Sequence, residues 1–499
     1  MNKLIFGRNS IERITSCEIV NSEVHLFREL EDGSLDVVVK PNYSWILAPI
    51  QLDSGFSKLD GNLYYSWIKT YPTRLEFIAD KKKYYKRDIY SVHDEKEASM
   101  LLNGFTYFKN TKVHEVSTLA FDIESTGLQH DDNSKVVLIA NTFRKNGVLT
   151  RKLFCYDEYE TEAKMFDVWC AWVRECNPSI MLGYNIFSYD IPYLAFCAEK
   201  AGTTLKLGRD GSEIKFADYE SEFRVDGTRS YKYKRCYIFG REIIDGIFIA
   251  HKFDIGKKYS SYRLKTVIKE EGLEIQDRQF YDAGEIRNTY KDPEEMKKIK
   301  AYAEQDGDDA LNLFDLQIPS YFYLCRSIPK PFQQIGYSAT GSQINSFLVR
   351  AYLQDFHSIP KASEVEKYEG GISNGFPGVY KNAVKWDVKS MYPSIMLQYN
   401  VYDRYKDPNG YFIQMVEYFT KQRFENKRLA KETGDRYYMD MDASGKQIIN
   451  SAYGMMGAML NFNSPKNAAF VTQKGRELLM TAVKWATGKE YSEWVKEDV

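Results

Sequence analysis

The sequence predicts a multidomain α/β protein with a β-rich N-terminal domain and a mostly helical C-terminal third. Three observations support this fold class. A chain of 499 residues is too long for one hydrophobic core. Short strand patterns separated by turn residues occupy residues 1–113, and strand and helix patterns alternate from Val116 onward. Helical patterns then dominate, apart from the segment around Trp386.

The N-terminal domain is predicted from short alternating patterns. Residues 23–27 and 36–39 are typical of strands, and Asp32-Gly33 is a turn signal. The basic and aromatic run 81–87 favours a solvated face, with a nucleic-acid contact as the alternative.

Composition limits the function classes. The formal net charge is −1, whereas a protein that coats nucleic acid is usually strongly basic, so any nucleic-acid surface must be local. The seven cysteines are scattered without a CxxC pair, which argues against a zinc site and indicates reduced thiols in a cytosol. No apolar run predicts a signal peptide or a membrane span.

The central region is predicted to be a layered α/β domain. Residues 117–124 form an apolar strand pattern that ends in acids, and residues 136–143 are typical of a partner strand. Residues 162–176 have the periodicity of an amphipathic helix. Further on, Asp226-Gly227 lies between strand-like segments, which is a strong hairpin signal. Residues 222–265 hold 11 Lys and Arg against 5 Asp and Glu, a local excess of six positive charges.

Three segments of this region carry acids that suit metal-dependent chemistry. Asp122 and Glu124 are two residues apart on a strand, so both carboxylates share one face. Asp190 lies where a loop enters a helix, and an N-cap aspartate is the alternative. Tyr302 and Asp306 share a helix face. Each segment alone is also typical of an ordinary surface.

Together and in this order, the segments resemble the three exonuclease motifs of proofreading family B DNA polymerases. The resemblance implies a ribonuclease-H-like 3′→5′ exonuclease domain that binds two Mg²⁺, with Mn²⁺ as a substitute. It assigns the metal ligands: Asp122, Glu124, Asp190 and Asp306. It assigns Tyr302 to positioning the attacking water, and spacing from Tyr302 selects Asp306 over Asp308 and Asp309.

The same family carries a β-hairpin between its second and third exonuclease motifs that helps to hold the separated primer strand. The predicted Asp226-Gly227 hairpin falls in that interval. Its cations are then expected to bind DNA: Arg224, Arg229, Lys232 and Lys234. A structural hairpin without a DNA contact is the alternative.

A second set of residues resembles polymerase motifs of family B. Residues 387–395 follow the predicted strand 383–386 and resemble motif A, which assigns Asp387 to Mg²⁺ and Tyr392 to the steric gate against ribose. Tyr368, Gly370 and Gly371 belong to a short segment that resembles the template-contacting motif between exonuclease and palm.

Residues 446–454 resemble motif B on the fingers. Lys446, Asn450 and Tyr453 share one helix face, where they are expected to contact the triphosphate, base and sugar of a dNTP. Arg423 and Lys427 resemble the family's second phosphate-binding pair, with a solvated helix face as the alternative.

The resemblance divides the chain into domains. These are an N-terminal domain (1–113, completed by 322–366), an exonuclease domain (114–321), a partial palm (367–412 and 447–499) and short fingers (413–446). No thumb and no acid-x-acid hairpin of motif C follow Tyr453, and Asp442 is interpreted as a helix N-cap instead. Leu478 and Trp485 are expected to be exposed at the incomplete palm.

The resulting functional hypothesis is the N-terminal subunit of a split, bacteriophage-type replicative DNA polymerase in a bacterial cytoplasm. Its expected partners are primer-template DNA, single-stranded 3′ ends, dNTPs, a sliding clamp, and a second polypeptide that supplies motif C, the thumb and a completed two-Mg²⁺ polymerase site. A piece of a longer chain would have the same sequence. The rival hypotheses are a stand-alone 3′→5′ exonuclease and a non-catalytic DNA-binding replication subunit.

Overall fold

A computed structural model describes residues 2–225, 228–254, 256–274, 280–365 and 367–495. Within these residues no helix is both long and apolar enough to cross a membrane. The seven cysteines are all free, in agreement with the expectation of reduced thiols. The predicted Asp226-Gly227 turn lies outside the described residues.

The N-terminal part contains two three-stranded sheets, in the orders β1-β2-β3 and β4-β6-β5. The strands are β1 (Ile14–Val20), β2 (Glu23–Glu29), β3 (Leu35–Pro41), β4 (Ser44–Ala48), β5 (Ser57–Lys58) and β6 (Trp67–Tyr71). The helices are α1 (Lys3–Phe6), α2 (Arg74–Lys83) and α3 (Glu95–Asn103). This arrangement confirms the β-rich prediction. Bridges from Asp60 to His357 and from Tyr65 to Ile359 attach a later segment to it.

A five-stranded mixed sheet in the order β13-β10-β7-β8-β9 lies at the centre of the next region. Its strands are β7 (Thr118–Ser125), β8 (Val136–Lys145), β9 (Val148–Cys155), β10 (Ile180–Gly183) and β13 (Glu242–Asp245). The hairpin strands β11 (Lys215–Arg224) and β12 (Ser230–Tyr237) form a separate antiparallel pair. The helices are α4 (Glu162–Cys176), α5 (Asp190–Lys200), α6 (Gly246–Phe253), α7 (Leu264–Glu270), α8 (Ile286–Thr289) and α9 (Pro293–Gln317).

The two faces of β7 differ. Leu119, Phe121 and Ile123 pack into an apolar cluster with residues of α4 and α5. Because side chains alternate along a strand, Asp122 and Glu124 lie on the opposite face, toward α9. The helix α9 therefore covers the face on which both acids project.

Helices connect this region to the C-terminal part. They are α10 (Pro319–Leu324), α11 (Phe332–Tyr337), α12 (Thr340–Gln354), α13 (Met391–Gln398), α14 (Tyr411–Thr433), α15 (Arg436–Gly457), α16 (Pro465–Thr487) and α17 (Tyr491–Trp494). Gly434 ends α14 with φ 68°, and Asp435 caps α15 by accepting from the backbone N–H of Tyr437 at 2.9 Å. The two helices pack against each other on either side of this turn.

The predicted strand 383–386 is wrong. The described residues 372–390 contain no strand, and the side chains of Val384 and Trp386 are 77% and 55% exposed. A strand needs a hydrogen-bonding neighbour, and no strand in the described part of the chain pairs with this segment. Leu478 and Trp485 are exposed, as expected, and the Trp386 ring lies 4.6 Å from that of Trp485.

Candidate active site

Three carboxylates converge on the α9 face of the central sheet. Asp122 and Glu124 come from β7, and Asp306 comes from α9. One carboxylate oxygen of each residue lies within 4.8 Å of the others. Glu124 and Asp306 are buried, and Asp122 is partly buried. The spacing argument for Asp306 agrees with this geometry, because Asp308 instead accepts hydrogen bonds from Arg151 and Thr142, each at 2.9 Å.

Burial and mutual repulsion raise the pKa values of these carboxyl groups. Burial raises the pKa of Glu124 to about 8, and the neighbouring Asp306 adds to the effect. Burial also raises the pKa of Asp122 well above its usual value, with further contributions from Asp190 and Glu124. Carboxylate oxygens are the donors that Mg²⁺ and Mn²⁺ prefer, and a divalent cation would relieve this repulsion. The residues present therefore fit a divalent metal site.

Asp190 lies beside this cluster without joining the group of three. It is the first residue of α5, and Tyr189 occupies the N-cap position, so the N-cap alternative is wrong. Its side chain is buried, and burial raises the pKa of this carboxyl group to about 7. Hydrogen bonds from the backbone at Asp190 and Ile123 lower the pKa, but their effect is smaller. The contact with Ile123 places Asp190 next to the strand positions of the two β7 acids.

Tyr302 and Lys265 complete the polar surface around the carboxylates. The Lys265 ammonium donates a hydrogen bond to the Tyr302 hydroxyl and lies 3.8 Å from Asp306 Oδ2. Burial and the neighbouring Asp306 raise the pKa of Tyr302, so its hydroxyl stays protonated. Sequence reasoning missed Lys265 as a site residue, although it lies within the counted basic stretch 222–265.

A cleft of about 830 Å³ opens onto these groups. Its lining includes two further cations, Arg263 and Arg287, and the aromatic rings of Tyr184 and Tyr189. Cations bind phosphate oxygens and aromatic rings stack on bases, so the cleft suits a single nucleic-acid strand. Neither arginine was identified as a site residue from the sequence.

The hairpin cations are more exposed than the carboxylates of the cleft. Arg224, Arg229, Lys232 and Lys234 are all exposed on or beside β11 and β12. Two of them are paired within the same sheet: Arg224 with Glu222 at 2.8 Å and Lys232 with Glu220 at 3.4 Å. The hairpin is therefore less strongly positive than its lysines and arginines alone suggest.

A second group of predicted residues meets in the C-terminal part. The rings of Tyr392 and Tyr453 lie 4.7 Å apart, and the Tyr453 hydroxyl is 3.2 Å from that of Tyr368. A Cβ added at Gly371 would lie 3.4 Å from the Tyr392 hydroxyl. Gly370 lies beside Arg476 of α16, which donates to its carbonyl at 2.6 Å. The structure thus brings together the residues predicted from three separate segments.

The predicted phosphate-binding cations lie on the paired helices α14 and α15. Arg423 donates to Ser390 Oγ at 2.6 Å and to Asp442 Oδ1 at 2.8 Å. The N-cap interpretation of Asp442 is wrong, because this residue lies inside α15. Three further predicted dNTP-contacting residues on these helices are solvent-exposed, namely Lys427, Lys446 and Asn450, whereas Tyr453 on α15 is half-buried.

Asp387 differs in exposure from the acids of the cleft. Its side chain is exposed, whereas the predicted metal ligands of the cleft are buried or partly buried. Among the described residues, no close group of three metal-ligating side chains includes Asp387. Within the described residues, Asp387 therefore does not belong to a carboxylate cluster of the kind found in the central cleft.

Comparisons with known proteins agree with this geometry. Residues 99–267 match the sequence model of the DNA polymerase family B exonuclease domain. The chain is 24% identical over 405 residues to a DNA polymerase of Pyrococcus glycovorans, covering 73% of this chain and 50% of that protein. It is 27% identical over 436 residues to the DNA polymerase delta catalytic subunit of Candida albicans, covering 74% and 41%.

The fold agrees as well. The structure of the family B DNA polymerase from Pyrobaculum calidifontis superimposes with a TM-score of 0.75 and 18% identity, covering 95% of this chain and 71% of that one. The chain is therefore similar in sequence and fold to family B DNA polymerases, and its residues 99–267 match the exonuclease domain of that family. It spans about half the length of the curated relatives that it matches.

Proposed function

We propose that this chain removes nucleotides one at a time from the 3′ end of a DNA strand in a reaction that needs Mg²⁺ or Mn²⁺. The observation that carries the proposal is the convergence of Asp122, Glu124 and Asp306 within 4.8 Å at the base of a cleft. Bound there, two divalent cations would activate water and stabilise the leaving 3′ oxygen. The match of residues 99–267 to an exonuclease domain supports the same chemistry.

The side chains around the carboxylates have separate roles in this proposal. Asp122, Glu124 and Asp306 hold the cations, with Asp190 as a fourth ligand beside them. The protonated Tyr302 hydroxyl orients the attacking water, and the Lys265 ammonium fixes that hydroxyl. The remaining cations and aromatic rings of the cleft bind the phosphates and bases of the terminal nucleotides.

A single-stranded oligonucleotide labelled at its 5′ end tests this function. With Mg²⁺ the label should appear on a ladder of products that shorten from the 3′ end, and EDTA should stop the reaction. Asp308→Asn is a matched control, because Asp308 lies two residues from Asp306 but binds Arg151. This control should retain wild-type activity. An intact substrate after incubation with wild type and Mg²⁺ contradicts the proposal and favours a non-catalytic DNA-binding subunit.

A second candidate function is template-directed nucleotide addition. The observation that favours it is the meeting of Tyr392, Tyr453 and Tyr368, with Arg423 beside Ser390. In this proposal Tyr392 and Tyr453 line the sugar and base pocket of a dNTP, as does Asn450. The triphosphate is bound by three cations: Arg423, Lys427 and Lys446. Tyr368, Gly370 and Gly371 contact the template strand, and Asp387 holds Mg²⁺.

Nucleotide addition needs a second acid near Asp387, because two-metal transfer uses carboxylates from two places. We propose that another polypeptide supplies this acid and the thumb, in a polymerase of the bacteriophage replicative type with the domain boundaries given above. Mixing the chain with candidate partner chains should restore primer extension, and a sliding clamp should lengthen the products. Excision without any restored synthesis would favour the stand-alone exonuclease.

A further inference from the structure

One histidine connects the hairpin to the exonuclease cleft. His251 lies on α6, and its Nε2 is 2.8 Å from the Tyr231 hydroxyl on β12. Its ring also stacks on Tyr262, with centroids 3.6 Å apart and planes 27° apart. The same side chain therefore contacts both a hairpin strand and the segment that leads into α7.

Tyr262 is held from its other sides as well. Its hydroxyl donates to Asp254 Oδ2 at 2.9 Å, and its carbonyl accepts from the Tyr184 hydroxyl at 2.7 Å. Tyr184 itself lines the cleft. The ring of His251 supplies the third of these contacts, and together the three contacts hold the Tyr262 side chain and backbone in place.

The position of Tyr262 matters because the next residues reach the cleft. Arg263 and Lys265 line it, and Lys265 donates to Tyr302 beside Asp306. Only two residues separate Tyr262 from Lys265 along the chain. A catalytic group that is misplaced by about 1 Å can lower the reaction rate up to about 100-fold. A shift of Tyr262 is therefore expected to move Lys265 and to lower the rate.

We propose that His251 is a positioning residue of the exonuclease site, which holds the segment 262–265 so that the Lys265 ammonium meets Tyr302. This inference rests on the exonuclease function proposed above. His251 is not among the residues that line the cleft, and in this inference it acts through the stacked ring of Tyr262. Because Tyr231 of the hairpin contacts His251, the hairpin also helps to hold the His251 ring in place.

Steady-state excision from a single-stranded oligonucleotide with Mg²⁺ tests the role. His251→Ala should lower kcat about tenfold and change KM less than about twofold, because alignment is lost but no DNA contact is removed. His251→Phe keeps a ring on Tyr262 and should stay within about threefold of wild type. His357→Ala is the matched control, since His357 packs its ring against Tyr352 and neither residue lines the cleft. It should change kcat less than about twofold.

A double-mutant cycle with Lys265→Ala separates positioning from a general loss of structure. If His251 acts through Lys265, then His251→Ala should lower kcat less than about twofold in the Lys265→Ala background. The same tenfold loss in both backgrounds overturns the inference, and so does an unchanged kcat in the single variant.

Should His251→Ala fail to fold, His251→Gln removes the stack with a smaller change and carries the same expectations. An inactive wild type overturns the proposed function itself, whereas an active wild type with an insensitive His251 overturns only this inference.

Discussion

The central cleft and the C-terminal surface differ in how their predicted metal-binding acids are buried and grouped. Asp122 and Glu124 project from a strand that has hydrogen-bonded neighbours on both sides, and α9 brings Asp306 to them. Asp387 follows an extended segment without such neighbours and is exposed. The cleft therefore holds a cluster of carboxylates, whereas Asp387 belongs to no such cluster among the described residues.

This difference shows what makes a metal site self-sufficient. Carboxylates that repel each other stay together only when the surrounding packing fixes them, as the apolar cluster behind β7 does. A single acid on an unpaired segment has no such support. The exonuclease proposal thus depends only on residues of this chain, and the synthesis proposal does not.

The largest expected effect tests whether the two regions are independent. The double change Asp122→Ala and Glu124→Ala should lower excision about 1,000-fold, since about 4 kcal/mol of metal stabilisation is lost. Asp387→Ala should leave excision within about twofold of wild type. Initial rates on a single-stranded oligonucleotide measure both. Equal losses in the two proteins would show that the regions form one site.

The next effect concerns the lysine that only the structure identified. Lys265→Met should lower excision about 30-fold, because the Tyr302 hydroxyl loses its partner beside Asp306. Lys269→Met changes an exposed lysine one turn further along α7 and is the matched control. If the two variants are equally active, Lys265 has no part in the reaction.

The raised pKa values predict a pH dependence of metal binding. Because burial raises the pKa of Glu124 to about 8, the metal-free folded protein holds this proton to higher pH than the unfolded chain. Its contribution to stability therefore falls as the pH rises from about 4.5 to 8. A bound cation would displace the proton, so the apparent Kd for Mg²⁺ should be about fivefold weaker at pH 7 than at pH 8. Melting temperatures against Mg²⁺ concentration measure it, and a pH-independent Kd contradicts it.

The smallest expected effect lies in the hairpin. Deleting residues 224–234 should slow excision from duplex ends about threefold more than from single strands, because its cations are proposed to contact the separated strand. The pairing of Arg224 and Lys232 with glutamates limits the effect. A structural hairpin without DNA contact predicts equal changes on both substrates.

Sequence patterns predicted elements whose partners are local. The helix α4 has the predicted bounds, since its apolar face and the cap by Thr161 are both visible in the sequence. The shared face of Asp122 and Glu124 follows from the two-residue period of a strand. The separation of Tyr302 and Asp306 by one helical turn is equally local.

Features that depend on distant partners could not be predicted in this way. The apolar pattern at 383–386 indicates a strand, but only the fold reveals that no described edge pairs with it. Asp442 resembles a cap, yet Asp435 caps α15 and Asp442 binds Arg423 across the helix pair. Lys265 became a site residue only because α7 lies beside α9.

The central proposal is that the carboxylate cleft of this chain supports excision by itself, whereas synthesis at the Asp387 surface needs an acid from another polypeptide. The most direct test is a primer-template incubated with dNTPs and Mg²⁺, using the wild type and the Asp122→Ala, Glu124→Ala variant without any partner. The account predicts that the wild type shortens the primer and that the variant leaves its length unchanged. Extension of the primer by the variant alone would contradict it.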